Sequence, residues 1–98
     1  TDSHNTAVGY SAGTAVTTGQ ESTMVGSLAG KALTAGDKNV AIGTSALQAD
    51  TLGSKSVAVG RGALGVQNFT TATDAHNVAV GDEAGVSVTT GKYNTLII

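Results

Sequence analysis

The sequence is organised by a repeat of 17 residues. A five-residue motif recurs along the chain: Asn or Ser, Thr or Val, Ala or Met, Val or Ile, then Gly. The motif glycines are Gly9, Gly26, Gly43, Gly60 and Gly81. Their spacings are 17, 17, 17 and 21, so the fourth copy holds four extra residues, and a sixth motif begins at Asn94. A fixed period along a whole chain predicts a repeat architecture in which equal positions stack.

The residue types within each copy favour β-structure over helix. Val and Thr are β-branched, and Gly recurs every few residues. Each copy suggests two short strands and two turns: one strand on the motif, and one between the Ala and Thr columns that begin at Ala12 and Thr17. We predict an all-β fold, a parallel β-roll or β-solenoid of five to six 17-residue coils. It occupies residues 1–98 as a single domain, with an insertion loop at 66–76.

The motif strand is apolar or small on both faces, which is typical of a strand buried on both sides. One face carries an aliphatic ladder, and the other carries Ala or Met beside the glycines. The chain has only 21 Leu, Ile, Val and Phe residues, too few for a thick core. We expect the Ala/Gly face to contact another chain and the more polar second strand to face solvent. The members of the ladder are Val8, Val25, Ile42, Val59, Val80 and Ile97.

The motif, with the Ala and the Gly turn that follow it, resembles the head repeats of trimeric autotransporter adhesins. It is also similar to repeats of phage tail fibres, and the resemblance covers essentially the whole chain. It implies a left-handed parallel β-roll, a homotrimer with the motif strand inward, and a place in a longer extracellular fibre on a virion tail or bacterial surface. The implied role is structural and host- or surface-binding, with a cell-surface glycan or protein as partner and no catalysis.

The insertion is the main irregularity and contains the only Phe. Loops that project from repeat stacks often carry the binding face. We therefore predict ligand contacts through Gln67, Asn68, Phe69 and Asp74. An equally weighted alternative is that the insertion merely extends a corner, or that Phe69 folds back over a gap in the core.

Other candidate sites have simpler explanations. His4 and His76 share a column with charged residues and Tyr93, and this predicts a solvated edge rather than a metal site. The glycines of residues 60–65 follow from the repeat, and no helix is predicted after them to bind phosphate. The pair Asp82–Glu83 suggests a solvated turn. We therefore predict no metal and no cofactor. We also predict no enzymatic activity, and the enzyme class considered, a hexapeptide acyltransferase, would need a period that is a multiple of six.

Charge and hydropathy remove further classes. Five basic and seven acidic residues give a net charge of -2, which provides no electrostatic footprint for nucleic acid. No apolar run approaches the roughly 18 residues of a membrane span, so we predict no membrane insertion. A rival function stays open: a monomeric β-solenoid that binds ice or another repetitive surface. Its candidate surface is a single file of threonines, Thr17, Thr34, Thr51 and Thr89.

Overall fold

The computed structural model describes residues 4–98 as a β-solenoid of about five turns, in which parallel strands stack in coils of about 17 residues. The described residues contain no helix. The strands are β1 (Thr6–Val8), β2 (Thr23–Val25), β3 (Val40–Ile42), β4 (Gly53–Ser54), β5 (Val57–Val59), β6 (Thr73–Asp74), β7 (Val78–Val80) and β8 (Thr95–Ile97).

The six motif strands form one parallel sheet in the order β1-β2-β3-β5-β7-β8. Equal motif positions pair throughout: Val40 lies beside Val57, and Val57 lies beside Val78 across the insertion. The four extra residues therefore leave the register unchanged. They add a second small sheet instead, in which β4 pairs with β6 in parallel. The predicted β-solenoid and its stacking register are confirmed.

The predicted second strand is wrong, because the segment after each motif glycine forms turns. Within the predicted second strand of the third and fourth coils, Leu47 and Leu64 have φ values of 53° and 50°. These left-handed conformations are incompatible with a strand. Backbone hydrogen bonds still join the turns of neighbouring coils, as where the Leu47 N–H donates to the Ala63 carbonyl at 2.9 Å.

The motif glycine is required for two separate reasons, seen at Gly43. Its φ is 128°, in a region that residues with a side chain rarely adopt. A Cβ added there would also lie 2.6 Å from the carbonyl carbon of Gly60 in the next coil. The repeating glycine therefore reflects both the shape of the corner and the close stacking of the coils.

The Ala face of the motif strand points into the solenoid, so its predicted role as a subunit interface is wrong. Ala41, Ala58 and Ala79 are fully buried in one cluster with Leu47 and Leu64 from the facing turns. Short side chains on the strand leave room for leucines across the narrow interior. The inward and outward faces of the motif strand were exchanged in the prediction. Both faces are apolar, so the alternation of residues along the strand does not show which face points inward.

Large and small residues alternate across this core. Ala41 and Ala58 are each followed six positions later by a buried leucine, whereas Met24 is followed by Gly30. A Cβ at Gly30 would lie 2.8 Å from the Met24 side chain. Met24 thus fills from the strand side the space that a leucine fills from the turn side in the next coils.

The first motif position forms a ladder of hydrogen bonds that closes the coils. Asn39 Nδ2 donates to the Gly53 carbonyl at 2.9 Å, and Asn39 Oδ1 accepts the Ser56 N–H at 3.0 Å. At Ser22 the hydroxyl takes over the second contact, since Ser22 Oγ accepts the Asn39 N–H at 3.1 Å. The side chain thus satisfies buried backbone groups that no strand partner reaches, and this explains the preference for Asn or Ser.

Candidate functional site

The outer face of the six-stranded sheet is a continuous aliphatic surface, which we call the strand face. It consists of the first and third residues of each motif strand, nine of which are aliphatic while three are threonine. Exposure is greatest at the ends of the sheet, 59% at Val8 and 71% at Ile97, and is still 38% at Ile42 in the middle. The nine aliphatic residues are Val8, Val25, Val40, Ile42, Val57, Val59, Val78, Val80 and Ile97. Contiguous exposed apolar patches on soluble proteins commonly mark interaction sites.

Exposed tyrosines flank the strand face. Tyr10 follows a motif glycine at one edge and is 78% exposed, and Tyr93 precedes a motif asparagine at the other edge and is 71% exposed. The Tyr93 ring stacks on His76, with centroids 5.2 Å apart and planes at 9°. His4 and His76 lie in an exposed column, as predicted. Residues 4–98 contain no group of three His, Cys, Asp or Glu side chains that could hold a metal ion.

Only half of the predicted ligand-binding set lies at the surface. Asn68 and Asp74 are exposed, but Gln67 is fully buried and Phe69 is 6% exposed. The prediction that Gln67 and Phe69 contact a ligand is therefore wrong. Phe69 folds inward, which is the alternative that the sequence left open, and Gln67 joins a buried hydrogen-bond network.

The surface of the insertion is small and polar. Besides Asn68 and Asp74, it exposes residues 70–72, which are Thr, Thr and Ala, and at its two ends Val66 and His76. Lys55 Nζ lies 2.9 Å from Asp74 Oδ2. The hydrogen bond from Lys55 lowers the pKa of Asp74 below its ordinary value of 3.8, and desolvation opposes this shift. The insertion thus offers hydroxyls, an amide and a neutralised charge pair to a ligand.

Asp50 was expected on a solvent-facing strand and is instead fully buried. Its Oδ1 accepts the N–H groups of Gly53 at 3.2 Å and Phe69 at 2.9 Å. Its Oδ2 accepts Gln67 Nε2 at 2.7 Å. No lysine or arginine forms an ion pair with Asp50 among the residues that the structure describes. Hydrogen bonds from neutral donors hold this carboxylate inside the solenoid.

Gln67 extends the network to the motif asparagines and serines. Its Nε2 also donates to Ser56 Oγ at 3.2 Å, and its Oε1 accepts Asn77 Nδ2 at 2.7 Å. Every buried side-chain polar atom of the described part of the chain has a partner. Sequence reasoning missed this network because Asp50 and Gln67 resemble the polar residues of a solvent-facing strand.

The threonine file holds neighbouring coils together. Thr17 Oγ1 donates to the Thr34 carbonyl at 3.3 Å, and Thr34 Oγ1 donates to the Thr51 carbonyl at 3.4 Å. Thr51 Oγ1 contacts the Phe69 carbonyl at 3.0 Å. These hydroxyl protons are thus directed at the adjacent coil rather than at solvent.

The surface of residues 4–98 has no pocket, and none of their segments is a helix long and apolar enough to cross a membrane. Comparison with protein-family models, curated proteins and solved structures finds no match to this chain. The candidate surfaces are therefore the strand face, which is flat and aliphatic, and the exposed part of the insertion, which is small and polar.

Proposed function

We propose that this protein is a non-enzymatic structural segment of a trimeric extracellular fibre, with a host- or surface-binding role. The observation that supports it is the strand face, where nine aliphatic side chains lie in register on the outer side of the sheet, three of them exposed and six half-buried. Water contact with such a face is unfavourable, and association of chains would remove it. The motif strand is then the inward strand of the trimer, as the resemblance to adhesin and tail-fibre repeats implies.

The position of the core alters how the subunits would meet. Since each chain buries its own Ala face, the chains pack as closed coils and do not complete one another's core. The contact is then made by the Val and Ile side chains of the strand face.

The size of the strand face sets how far the contact extends. Six strands about 4.8 Å apart and roughly 10 Å wide cover about 240 Å², well below the roughly 800 Å² per partner of a stable interface. The flanking columns must therefore contribute. Tyr10 and Tyr93 lie there with large exposed areas, and tyrosine is a residue type enriched at interfaces.

The surface-binding role belongs to the exposed part of the insertion in this proposal. Asn68, Thr70 and Thr71 supply neutral hydrogen-bonding groups, and Asp74 supplies a carboxylate paired with Lys55, all of the kind that contact a glycan or a polar protein surface. Three copies on one fibre would convert weak single contacts into strong binding through effective concentration.

The rival proposal, ice binding by a monomeric solenoid, has less support. Its candidate surface was the threonine file, and the hydroxyls of Thr17, Thr34 and Thr51 bond to carbonyls of the adjacent coil. The strand face is also flat and regular, but it carries aliphatic side chains at most positions. The oligomeric state separates the two functions.

The first experiment is solution mass by light scattering over a dilution series. A trimer has three times the 9.5 kDa chain mass, or about 28.5 kDa. We expect this mass to persist on dilution. A folded monomer at every concentration would refute the fibre proposal and make thermal hysteresis in ice the next measurement.

Paired variants identify the interface. Ile42→Lys and Val59→Lys place charges on the strand face, and we expect each to give a lower mass with a retained β circular-dichroism spectrum. Thr14→Lys on the exposed turn side is the matched control and should leave the mass unchanged. Equal masses for all three variants would refute the strand face as the interface.

Binding is tested separately on the parent chain with immobilised cell-surface glycans. Asn68→Ala combined with Asp74→Ala should reduce retention at least tenfold, whereas Thr90→Ala, exposed on another coil, should not. Unchanged retention of the double variant would show that the glycans bind somewhere other than the insertion.

A further inference from the structure

One interior column changes character where the insertion occurs. The residue seven positions after each motif glycine is apolar in three coils and polar in two. Leu33 is buried, and Val16 and Val88 pack against the core, whereas Asp50 and Gln67 place a carboxylate and an amide at the same position. The two polar members precede and begin the insertion. The polar residues of this column therefore occur only in the two coils that adjoin the insertion.

In the regular coils, a glycine near the end of each repeat stacks on its equivalent in the next coil. A Cβ added to Gly19 would lie 2.5 Å from the Gly36 carbonyl oxygen, and one added to Gly36 would meet the Gly53 carbonyl oxygen. A backbone carbonyl of the next coil thus fills this corner at Gly19 and at Gly36. The fourth coil has no glycine at that place, since the insertion displaces the turn.

Side chains take the place of the missing turn. The group that a Cβ on Gly53 would meet is the Asp50 carboxylate, not a carbonyl of the next coil. Gln67 likewise lies between Ser56 and Asn77, where its amide reaches the motif side chains of two coils. Asp50 and Gln67 supply acceptors and donors that the backbone of a regular coil would otherwise provide.

We propose that Asp50 and Gln67 form a polar lock that holds the four extra residues at this corner and keeps the coils on either side in register. The lock anchors the Phe69 N–H at the start of the excursion, and the chain returns through β6, where the Ala75 N–H donates to the Ser54 carbonyl at 2.9 Å. It therefore positions the exposed residues 70–74. The inference stands without the proposed function.

The test is a four-variant cycle that couples the lock to the insertion. The lock is replaced by Asp50→Leu with Gln67→Leu, which copies Leu33 in the same column. The insertion is removed by deleting residues 70–73 with Asp74→Gly, which restores a period of 17 and the corner glycine. The parent, each change alone, and both changes together are compared by thermal unfolding at one concentration.

The lock predicts strong coupling between the two changes. Each change alone should lower the unfolding temperature by about 8 °C or more. The leucines leave buried N–H groups without acceptors, and the restored corner would place a backbone carbonyl where the Asp50 carboxylate lies. Both changes together should return it to within about 4 °C of the parent. A leucine variant that folds only after the deletion would give the same support.

Three results would overturn the inference. The two costs could add, so that the combined variant is the least stable. The deletion could be harmless with Asp50 and Gln67 present. Both leucine variants could fail to fold alike, which would make the pair a general requirement of the solenoid instead of a lock for the insertion.

Discussion

The exchange of large and small residues across the core can be tested at Met24 and Gly30. Met24 is 1% exposed, and Gly30 faces its side chain closely enough that a Cβ would lie 2.8 Å away. In the coil that follows, Ala41 lies at the position of Met24, and Leu47 from the turn fills the equivalent space. The chain therefore contains its own template for a compensating double substitution.

The magnitudes follow from burial. Met24→Ala removes a buried side chain and should cost about 2–5 kcal/mol of unfolding free energy, with a cavity beside Gly13 and Gly30. Gly30→Leu alone should cost about 1–3 kcal/mol for overpacking and about 1 kcal/mol or more for a leucine at φ 57°. Independent effects would sum to about 4–9 kcal/mol for the double variant.

The double variant should instead be more stable than that sum by at least about 2 kcal/mol, because Leu fills the cavity that Met24→Ala creates. The assay is urea unfolding followed by circular dichroism, at one protein concentration and with m-values compared. Leu47 already tolerates φ 53°, so the backbone permits the change. Additive costs would refute the packing argument.

Three further predictions concern the backbone and the surface. Asn39→Ala should cost about 2–6 kcal/mol, since two buried backbone groups lose partners, while Asn39→Ser should cost less because serine occupies this position in other coils; urea midpoints compare them. Gly43→Ala should cost at least about 1–3 kcal/mol through backbone strain alone. Gly62→Ala is its matched control, with φ 69° and a nearest contact of 3.5 Å, and equal losses of thermal stability would contradict the stacking argument. Lys55→Met removes the pairing that lowers the pKa of Asp74. The parent should therefore have the higher unfolding free energy above pH 3.8, and this difference should disappear as the pH falls through the lower folded-state pKa. A difference in unfolding free energy that persists in acid would exclude the Lys55–Asp74 pair as its source.

The repeat allowed the register of the fold to be predicted but not the direction of its faces. Aligning motif positions is enough to pair Val40 with Val57, because identical coils stack with equal positions adjacent. Which face points inward depends on the side-chain volume that fits between the strand and the facing turn. The composition of one strand does not reveal that volume. A pairing of Ala41 with Leu47 across the interior was the available signal, since it shows which strand residues leave room for a large neighbour.

The insertion was the least predictable part of the candidate site. Its position and length follow from the spacing of the glycines, but its path does not. Phe69 and Gln67 were placed at the surface because projecting loops commonly carry binding residues. The polar character of Asp50, in a column that holds Leu33 one coil earlier, was a usable sign of a buried network.

The stacking of coils has a consequence for how the chain acquires its structure. Backbone bonds between regular coils join residues about one repeat apart: the Thr6 N–H reaches Ser22, and the Gly60 N–H reaches Ile42. Each new coil therefore closes a loop of nearly constant size, and the entropic cost of closure does not grow with the number of coils already formed. Folding can spread from one coil to the next, and a solenoid of twice the length would meet the same barrier at each step.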